Sequence, residues 1–184
     1  MSRILTVSGS PSLTSRSATL LQHVSRTLLR HGHDLEHLNL RDLPPAALLH
    51  AHFDDPAIVQ TAGLLEQADG VVIATPVYKA AYTGLLKSWL DLLPQYALTD
   101  KTVLPLATGG SVAHALALDY GLRPVLSSMG ARHIVQGFLV IDRYIQPTGA
   151  GPLAVDEEIQ PDLGTVVDGF LDALPPSVEV RLSA

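Results

Sequence analysis

The feature that most constrains the fold of this sequence is a regular alternation of short apolar runs, rich in Val, Ile and Leu, with longer stretches of helical periodicity. Strands separated by helices cannot pair as hairpins, and they are instead joined by crossovers that run over a parallel sheet. The apolar runs predict five strands, Arg3–Ser8, Asp34–Leu38, Gly70–Thr75, Thr102–Thr108 and Ile134–Ile141. The chain therefore favours an open α/β architecture.

The connections carry helix signals of their own. Leucine and valine recur at helical spacing ahead of Gly32, which predicts a helix end there. Asp55 followed by Pro56 has the form of an N-cap with proline in the first turn. Predicted helices cover Arg16–His31, the segment that opens at Asp55, Tyr82–Leu93, Val112–Ser127 and Asp162–Leu174. The third is apolar around much of its circumference, which suggests that it faces another subunit.

Five parallel strands with right-handed crossovers predict a flavodoxin-like three-layer sandwich with the strand order 2-1-3-4-5. Two stretches fit no regular element and are predicted as loops, Arg41–Asp54 and Asp142–Pro161. No linker divides the sequence, so residues 1–174 are expected to form one domain, with 175–184 as a C-terminal tail.

Composition narrows the classes of function. A chain of 184 residues with 47% apolar and 16% charged residues can bury a substantial core. The net charge of −6 argues against a nucleic-acid partner, because such proteins bind through clustered Lys and Arg. Without cysteine there is no disulfide or thiolate, and the histidines form no zinc pattern, so no metal is assigned. Since no apolar run has membrane-spanning length, a cytoplasmic protein is expected.

The loop Ser8–Ala18 gathers hydroxyls and one arginine where the first helix begins. Backbone amides, the helix dipole and hydroxyl donors can converge there on a phosphate, with Ser10, Ser15, Arg16 and Ser17 as candidates. The alternative is a serine-rich loop in which Ser15 or Ser17 only caps the helix. The loop lacks both the Lys-Ser/Thr ending of nucleoside-triphosphate loops and the three-glycine dinucleotide pattern, which favours a monophosphate.

Two further loops follow predicted strands. In Thr75–Ala81, Pro76 fixes a turn, and the amides of Tyr78 and Lys79 are candidates to meet an acceptor atom of a ring; alternatively, Tyr78 is a core-edge aromatic and Lys79 is only solvated.

In Ala107–His114, paired glycines permit close backbone approach or positive φ, so that the amides of Gly109, Gly110 and Ser111 can point at a ligand. The alternative is a simple turn capped by Thr108 or Ser111. Because all three loops follow carboxyl ends of parallel strands, they are expected to form one crevice.

The motifs of these loops also carry a family resemblance. Gly9-Ser-Pro with Ser15-Arg-Ser, Ala74–Gly84, Leu104–His114 and Asp119-Tyr120 closely resemble the NADPH-dependent FMN reductases of alkanesulfonate-utilisation systems, over about Arg3 to Gly137. The resemblance implies a reductase that transfers a hydride from NAD(P)H to FMN and passes reduced FMN to a flavin-dependent monooxygenase acting on sulfonates. We also expect a homodimer or homotetramer.

The resemblance assigns roles by motif position. Ser10, Ser15, Arg16 and Ser17 would hold the FMN phosphate. Pro76, Val77, Tyr78 and Lys79 would line the isoalloxazine ring, and Thr108, Gly109, Gly110 and Ser111 would close its pyrimidine side. No catalytic side chain is required, since the hydride passes directly between the two cofactors.

Two competing functions share this fold. One is an FMN-bound quinone or azo reductase, and the other is a flavodoxin-type electron carrier.

A separate signal lies in the predicted helix Val112–Ser127. Pro124 has no N–H to donate to the carbonyl of Tyr120, so it predicts a kink or bulge in this helix. We hypothesise that Tyr120 lies at a subunit contact near the flavin; the alternative is an ordinary aromatic on a kinked helix. His114 is a candidate to contact flavin or nicotinamide; the alternative is a packing or capping role.

Overall fold

The computed structural model describes residues 1–176. Its parallel sheet contains β1 (Arg3–Ser8), β2 (Asp34–Asn39), β3 (Gly70–Pro76), β4 (Thr102–Gly109), β5 (His133–Ile134) and β6 (Phe138–Ile141). The strand order is β2-β1-β3-β4-β5, and β6 also pairs with β4. This order confirms the predicted flavodoxin-like topology, and the carboxyl ends of β1, β3 and β4 lie side by side.

Helices cover both faces of the sheet. They are α1 (Arg16–Arg30), α2 (Pro45–Leu49), α3 (Pro56–Glu66), α4 (Gly84–Leu90), α5 (Arg123–Ser128) and α6 (Gln160–Ala173). Successive residues of a strand point to opposite faces, so Val72 packs with the α1 and α6 side chains while Val71 packs with those of α3 and α4. Both predicted signals at helix ends are confirmed, because Gly32 has a φ of +80° and the Asp55 side chain accepts from the Ala57 amide.

The prediction of one fifth strand over Ile134–Ile141 is wrong, because two short strands, β5 and β6, take its place. The Val103 carbonyl accepts from the Val135 amide, so the polar groups of Val103 face β5. Pro105 lies two residues further along β4, faces the same side and has no N–H to donate, so the pairing is interrupted there. Arg123 donates to the carbonyls of Ile134 and Val135 at the break, at 2.8 and 3.1 Å.

Both predicted loops contain regular structure, so those predictions are corrected. The segment Arg41–Asp54 overlaps a 3₁₀ turn, Leu40–Asp42, and holds α2, in which Pro45 occupies the first turn that tolerates proline. The segment Asp142–Pro161 holds 3₁₀ turns at Asp142–Tyr144 and Glu157–Ile159. Between these turns, β7 (Ile145–Pro147) pairs antiparallel with β8 (Leu153–Val155).

The apolar helix predicted at Tyr82–Leu93 is shorter and better buried than expected. α4 covers Gly84–Leu90, and Trp89 is buried with its indole N–H donating to Thr61 Oγ1 at 2.9 Å. Leu92 and Leu93 are also buried within the chain, so the apolar pattern does not require a second subunit.

The irregularity predicted from Pro124 is confirmed. Instead of one helix over Val112–Ser127, the chain forms a 3₁₀ turn at Val112–His114, a π-helix at Ala117–Leu122 and then α5. The π-helix contains Tyr120, and the proline falls in the first turn of α5.

Among residues 1–176, no helix has both the length and the apolar character that crossing a membrane requires. Apart from Pro175 and Pro176, the predicted tail lies outside the described residues.

Candidate functional site

Three loops at the carboxyl ends of β1, β3 and β4 line one cleft of about 170 Å³. Its lining residues are Ser10, Ser12, Thr14, Ser15, Arg16, Pro76, Val77, Tyr78, Thr108, Gly109, Gly110 and Asp142. The structure thus brings together all the residues singled out in the sequence except Ser17, Lys79 and Ser111. A larger cavity of about 730 Å³ lies between α3 and residues 94–101, and its lining is mainly apolar, with Glu66, Gln95, Thr99 and Lys101 as its polar members.

The serine loop is built around the start of α1. Ser15 has an extended backbone and caps the helix, its Oγ accepting from the Ala18 amide at 3.3 Å. Ser17 is fully buried and lies 2.9 Å from Ser15 by their Oγ atoms. Ser15 therefore caps the helix and also lines the cleft, while Ser17 reaches the cleft only through its bond to Ser15.

Arg16 supplies the positive charge of the cleft lining. Its Nε donates to the Ile145 carbonyl at 3.1 Å, so β7 holds the side chain across the mouth of the serine loop. Within the described part of the chain, no carboxylate forms an ion pair with Arg16. The N-terminus of a 15-residue helix, hydroxyls and an arginine free of carboxylate partners together suit a phosphate group.

The turn after β3 presents mainly backbone. Tyr78 and Ala81 exchange two backbone hydrogen bonds, at 2.9 and 3.1 Å, and the two residues between them have positive φ, +51° at Lys79 and +64° at Ala80. The expectation that the Tyr78 amide is available to a ligand is wrong, because it donates to Ala81. The amides of Lys79 and Ala80 donate to no acceptor in residues 1–176, so they are the available donors of this turn.

Neither side chain of the turn is part of the core. Tyr78 is 51% exposed and Lys79 is exposed. Tyr78 lines the cleft with its side chain half exposed, which favours a ligand-facing residue over the core-edge aromatic of the alternative interpretation. The Lys79 side chain does not line the cleft, as the alternative for that residue supposes.

The glycine loop works by close approach. Among the described glycines, positive φ occurs at Gly32, Gly130 and Gly149 but not in this loop, so of the two possibilities only close approach applies here. A Cβ on Gly109 would lie 3.0 Å from His114 Nδ1, so the missing side chain lets the imidazole lie against the strand end. That Nδ1 atom is buried and has no hydrogen-bond partner among residues 1–176. Ser111 Oγ accepts from the Ala113 amide and caps the following turn.

Hydrogen bonds of Thr83 connect the serine loop to the turn after β3. Its buried Oγ1 donates to the Gly9 carbonyl at 2.6 Å and accepts from the Leu86 amide at 3.1 Å, while its own amide donates to Thr75 Oγ1. Gly9 in turn donates to the Ala74 carbonyl at 2.8 Å. The start of the serine loop is thereby fixed to the end of β3 and to α4.

Sequence reasoning missed Ser12, Thr14 and Asp142. The first two belong to the same hydroxyl-rich loop, and their proximity to Ser10 and Ser15 was the available signal. Asp142 directly follows β6. Since Ile141, the last residue of β6, pairs with Gly109 of the glycine loop, the next residue lies at the cleft. No sequence motif marks that aspartate.

A second surface adjoins the turn at Lys79–Ala80. A cavity of about 290 Å³ is lined by Ala80, Ala113, His114, Leu116, Ala117, Tyr120 and Gly121. Tyr120 is 79% exposed, and Val112 and Leu116 are also exposed. Tyr82 lies beneath the π-helix at Gly121, and burial raises the pKa of its hydroxyl.

Comparison with known proteins gives a consistent result. The family described as NADPH-dependent FMN reductase matches residues 2–146. The FMN reductase (NADPH) of Escherichia coli strain K12 is 47% identical over 174 residues, which is 94% of this chain and 90% of the relative. The NADH-dependent FMN reductase SfnE of Pseudomonas putida is 39% identical over 131 residues, 70% of each chain.

The fold has a solved counterpart of similar length. The crystal structure of the apo form of an NADH:FMN oxidoreductase, EmoB, superposes with a TM-score of 0.85 at 42% identity, covering 98% of this chain and 94% of that one.

Proposed function

The chain belongs to the NADPH-dependent FMN reductase family, and from that starting point we propose that it supplies reduced FMN to a partner monooxygenase that desulfonates organosulfonates. As a member of this family it is an oxidoreductase, an FMN reductase that uses FMN and NADPH. The observation that supports the site most strongly is the single cleft that joins the serine loop, the turn after β3 and the glycine loop.

The residues at one end of the cleft fit the phosphate of FMN. Ser10, Ser15 and Arg16 would hold it with two hydroxyls and a guanidinium at the N-terminus of α1. Ser17 would act indirectly by orienting the Ser15 hydroxyl.

The other end of the cleft fits the isoalloxazine ring. Pro76, Val77 and Tyr78 would line one side, and the unoccupied Lys79 amide would donate to a ring acceptor. Thr108, Gly109, Gly110 and the Ser111 backbone would close the pyrimidine side, and the space beside Gly110 is open to a ligand.

The chain supplies position and electrostatics, and not acid or base catalysis. When FMN is bound, its ring accepts a hydride from the nicotinamide of NAD(P)H, with a proton taken from solvent. The rigid ends of β3 and β4 would orient the ring, and the backbone donors beside it would favour the negative charge that develops there.

Steady-state kinetics test this function. NADPH oxidation by flavin-free protein should be slow alone and strongly stimulated by excess FMN, and NADH in place of NADPH would establish the nucleotide preference that the differing names of the relatives leave open. Stimulation by a quinone but not by FMN would indicate a quinone reductase instead. A yellow protein that barely oxidises NADPH would indicate an electron carrier.

We also propose that the protein is a homodimer or homotetramer in which Tyr120 lies at a contact near the flavin. The π-helix and the exposed apolar side chains around it support this proposal. Sedimentation of the Tyr120→Ala variant tests it. Unchanged oligomer size, FMN affinity and turnover would refute it.

A further inference from the structure

The exposed part of the serine loop has weak support from its own residues. Between Gly9 and Ser15, the Ser12 amide donates to Ser10 Oγ at 3.2 Å, and the Ser12 hydroxyl donates to the Thr14 carbonyl at 2.9 Å. These bonds are local and connect the loop only to itself. Leu13, in the middle of the segment, is exposed.

One arginine reaches this segment from elsewhere. Arg41 Nη1 donates to the Ser12 carbonyl at 2.7 Å, across 29 residues of sequence. In the described chain, this is the only hydrogen bond that joins residues 10–14 to another element. The loop tip is therefore held in place by a side chain that no loop motif contains.

The fold places Arg41 for this contact. β1 and β2 run in parallel with Ser8 paired to Asn39, so the segments that follow the two strands emerge side by side. The 3₁₀ turn after β2 is anchored by the fully buried Leu40, and this directs the next residue, Arg41, back over the loop from β1.

The surroundings of Arg41 indicate more than a structural bond. Its Nε atom is buried without a hydrogen bond and lies 3.5 Å from the largely exposed carboxylate of Asp42. A buried donor without a hydrogen bond is costly, and an ion pair with a largely exposed carboxylate returns little, so this arrangement is a poor clamp by itself. In the cleft lining, the charge of Arg16 is opposed by that of Asp142. Because solvent screens the exposed Asp42, the guanidinium of Arg41 behind the loop would still shift the balance in favour of a dianion.

We propose that Arg41 is a positioning residue for the phosphate of FMN: it fixes the Ser12 backbone and adds positive potential behind the serine loop. This inference rests on the proposed function, because it assumes that the cleft binds FMN. It predicts an effect that depends on the phosphate and not on the ring.

The experiment compares two ligands, FMN and riboflavin, by fluorescence titration of flavin-free protein. Arg41→Met should weaken FMN binding about tenfold and leave riboflavin binding unchanged. Arg41→Lys should recover part of the loss because it keeps the charge. Arg30→Met is the matched control, since Arg30 is exposed on α1 and, within residues 1–176, its side chain bonds only Thr27 Oγ1; it should behave as the parent protein.

Two further readouts separate the possible failures. Hydrogen exchange of residues 12–14 in the flavin-free protein should be faster in Arg41→Met. Arg16→Met reports on the phosphate site itself. If Arg16→Met abolishes the preference for FMN over riboflavin and Arg41→Met does not change it, the role of Arg41 is refuted while the proposed function stands.

Equal weakening of FMN and riboflavin in Arg41→Met would reduce the residue to general structural support and would also overturn the proposal. If neither arginine affects the preference, the phosphate site and this inference both fail. Should Arg41→Met not fold, Arg41→Gln and Arg41→Lys provide the same comparison.

Discussion

The two ends of the cleft are built in different ways. The serine loop presents side chains, the hydroxyls of Ser10 and Ser15 and the guanidinium of Arg16. The end formed by the turn after β3 and the glycine loop presents mainly backbone, and two residues of that turn, Lys79 and Ala80, are held at positive φ. A site of this kind should lose phosphate recognition when side chains are changed, and should lose ring recognition mainly when the backbone is changed.

The largest expected effect is at Arg16. Arg16→Met removes a charge-assisted donor at the phosphate end, which is worth about 2 kcal/mol or roughly thirtyfold in affinity. FMN affinity should fall by that factor while riboflavin affinity is retained, as measured by titration. An equal loss for both ligands would contradict the division between the two ends.

The second effect tests the backbone end at Ala80. Ala80→Pro imposes a φ near −65°, where the turn needs +64°. Both FMN and riboflavin should bind about tenfold more weakly or worse, because a strained or broken turn costs at least 1–3 kcal/mol.

Ala80→Gly is the matched control, since glycine adopts positive φ freely. It should leave both affinities unchanged and keep or slightly raise the melting temperature. Normal binding of both ligands by Ala80→Pro would show that this turn does not form the ring site.

The third effect lies at the connection between the two ends. Thr83→Val leaves the Gly9 carbonyl and the Leu86 amide without their buried partner, at a cost of about 1–3 kcal/mol in the free energy of unfolding. Thr83→Ser keeps the hydroxyl and should lose much less. Urea denaturation of the two variants measures the difference, and equal stability would show that the hydroxyl is not needed.

The smallest effect is expected at Ser17, which touches the cleft only through Ser15. Ser17→Ala removes one buried hydrogen bond, so FMN affinity should fall by no more than about tenfold. A loss as large as that of Arg16→Met, measured in the same titration, would mean that Ser17 contacts the phosphate directly.

Local patterns predicted much of this fold. The alternation of strands and helices was sufficient for the sheet order, because right-handed crossovers leave few arrangements. Pro124 predicted an irregular helix, since a missing N–H acts wherever the residue falls. Pro105 had a similar effect on the fifth strand, but its consequence depends on which side of β4 it faces. That side is fixed only by the register between strands.

The site residues were predicted only in part, because some of their contacts also depend on how distant segments pack. Ser17 lies three and four residues before Leu20 and Leu21, which places it on the buried stripe of α1, and this spacing could have excluded it from direct contact. Three features depend on tertiary geometry: the hydrogen bond of the Tyr78 amide, the position of Asp142 at the cleft and the hydrogen bond from Arg41 to Ser12. No local pattern encodes them.

The most direct test of the account is a crystal structure of the protein with FMN. The FMN phosphate should lie within hydrogen-bond distance of Ser15 Oγ and the Arg16 guanidinium. The isoalloxazine ring should lie between residues 76–80 and Gly109-Gly110. An FMN bound in the cavity between α3 and residues 94–101, or with its ring at the serine loop, would contradict it.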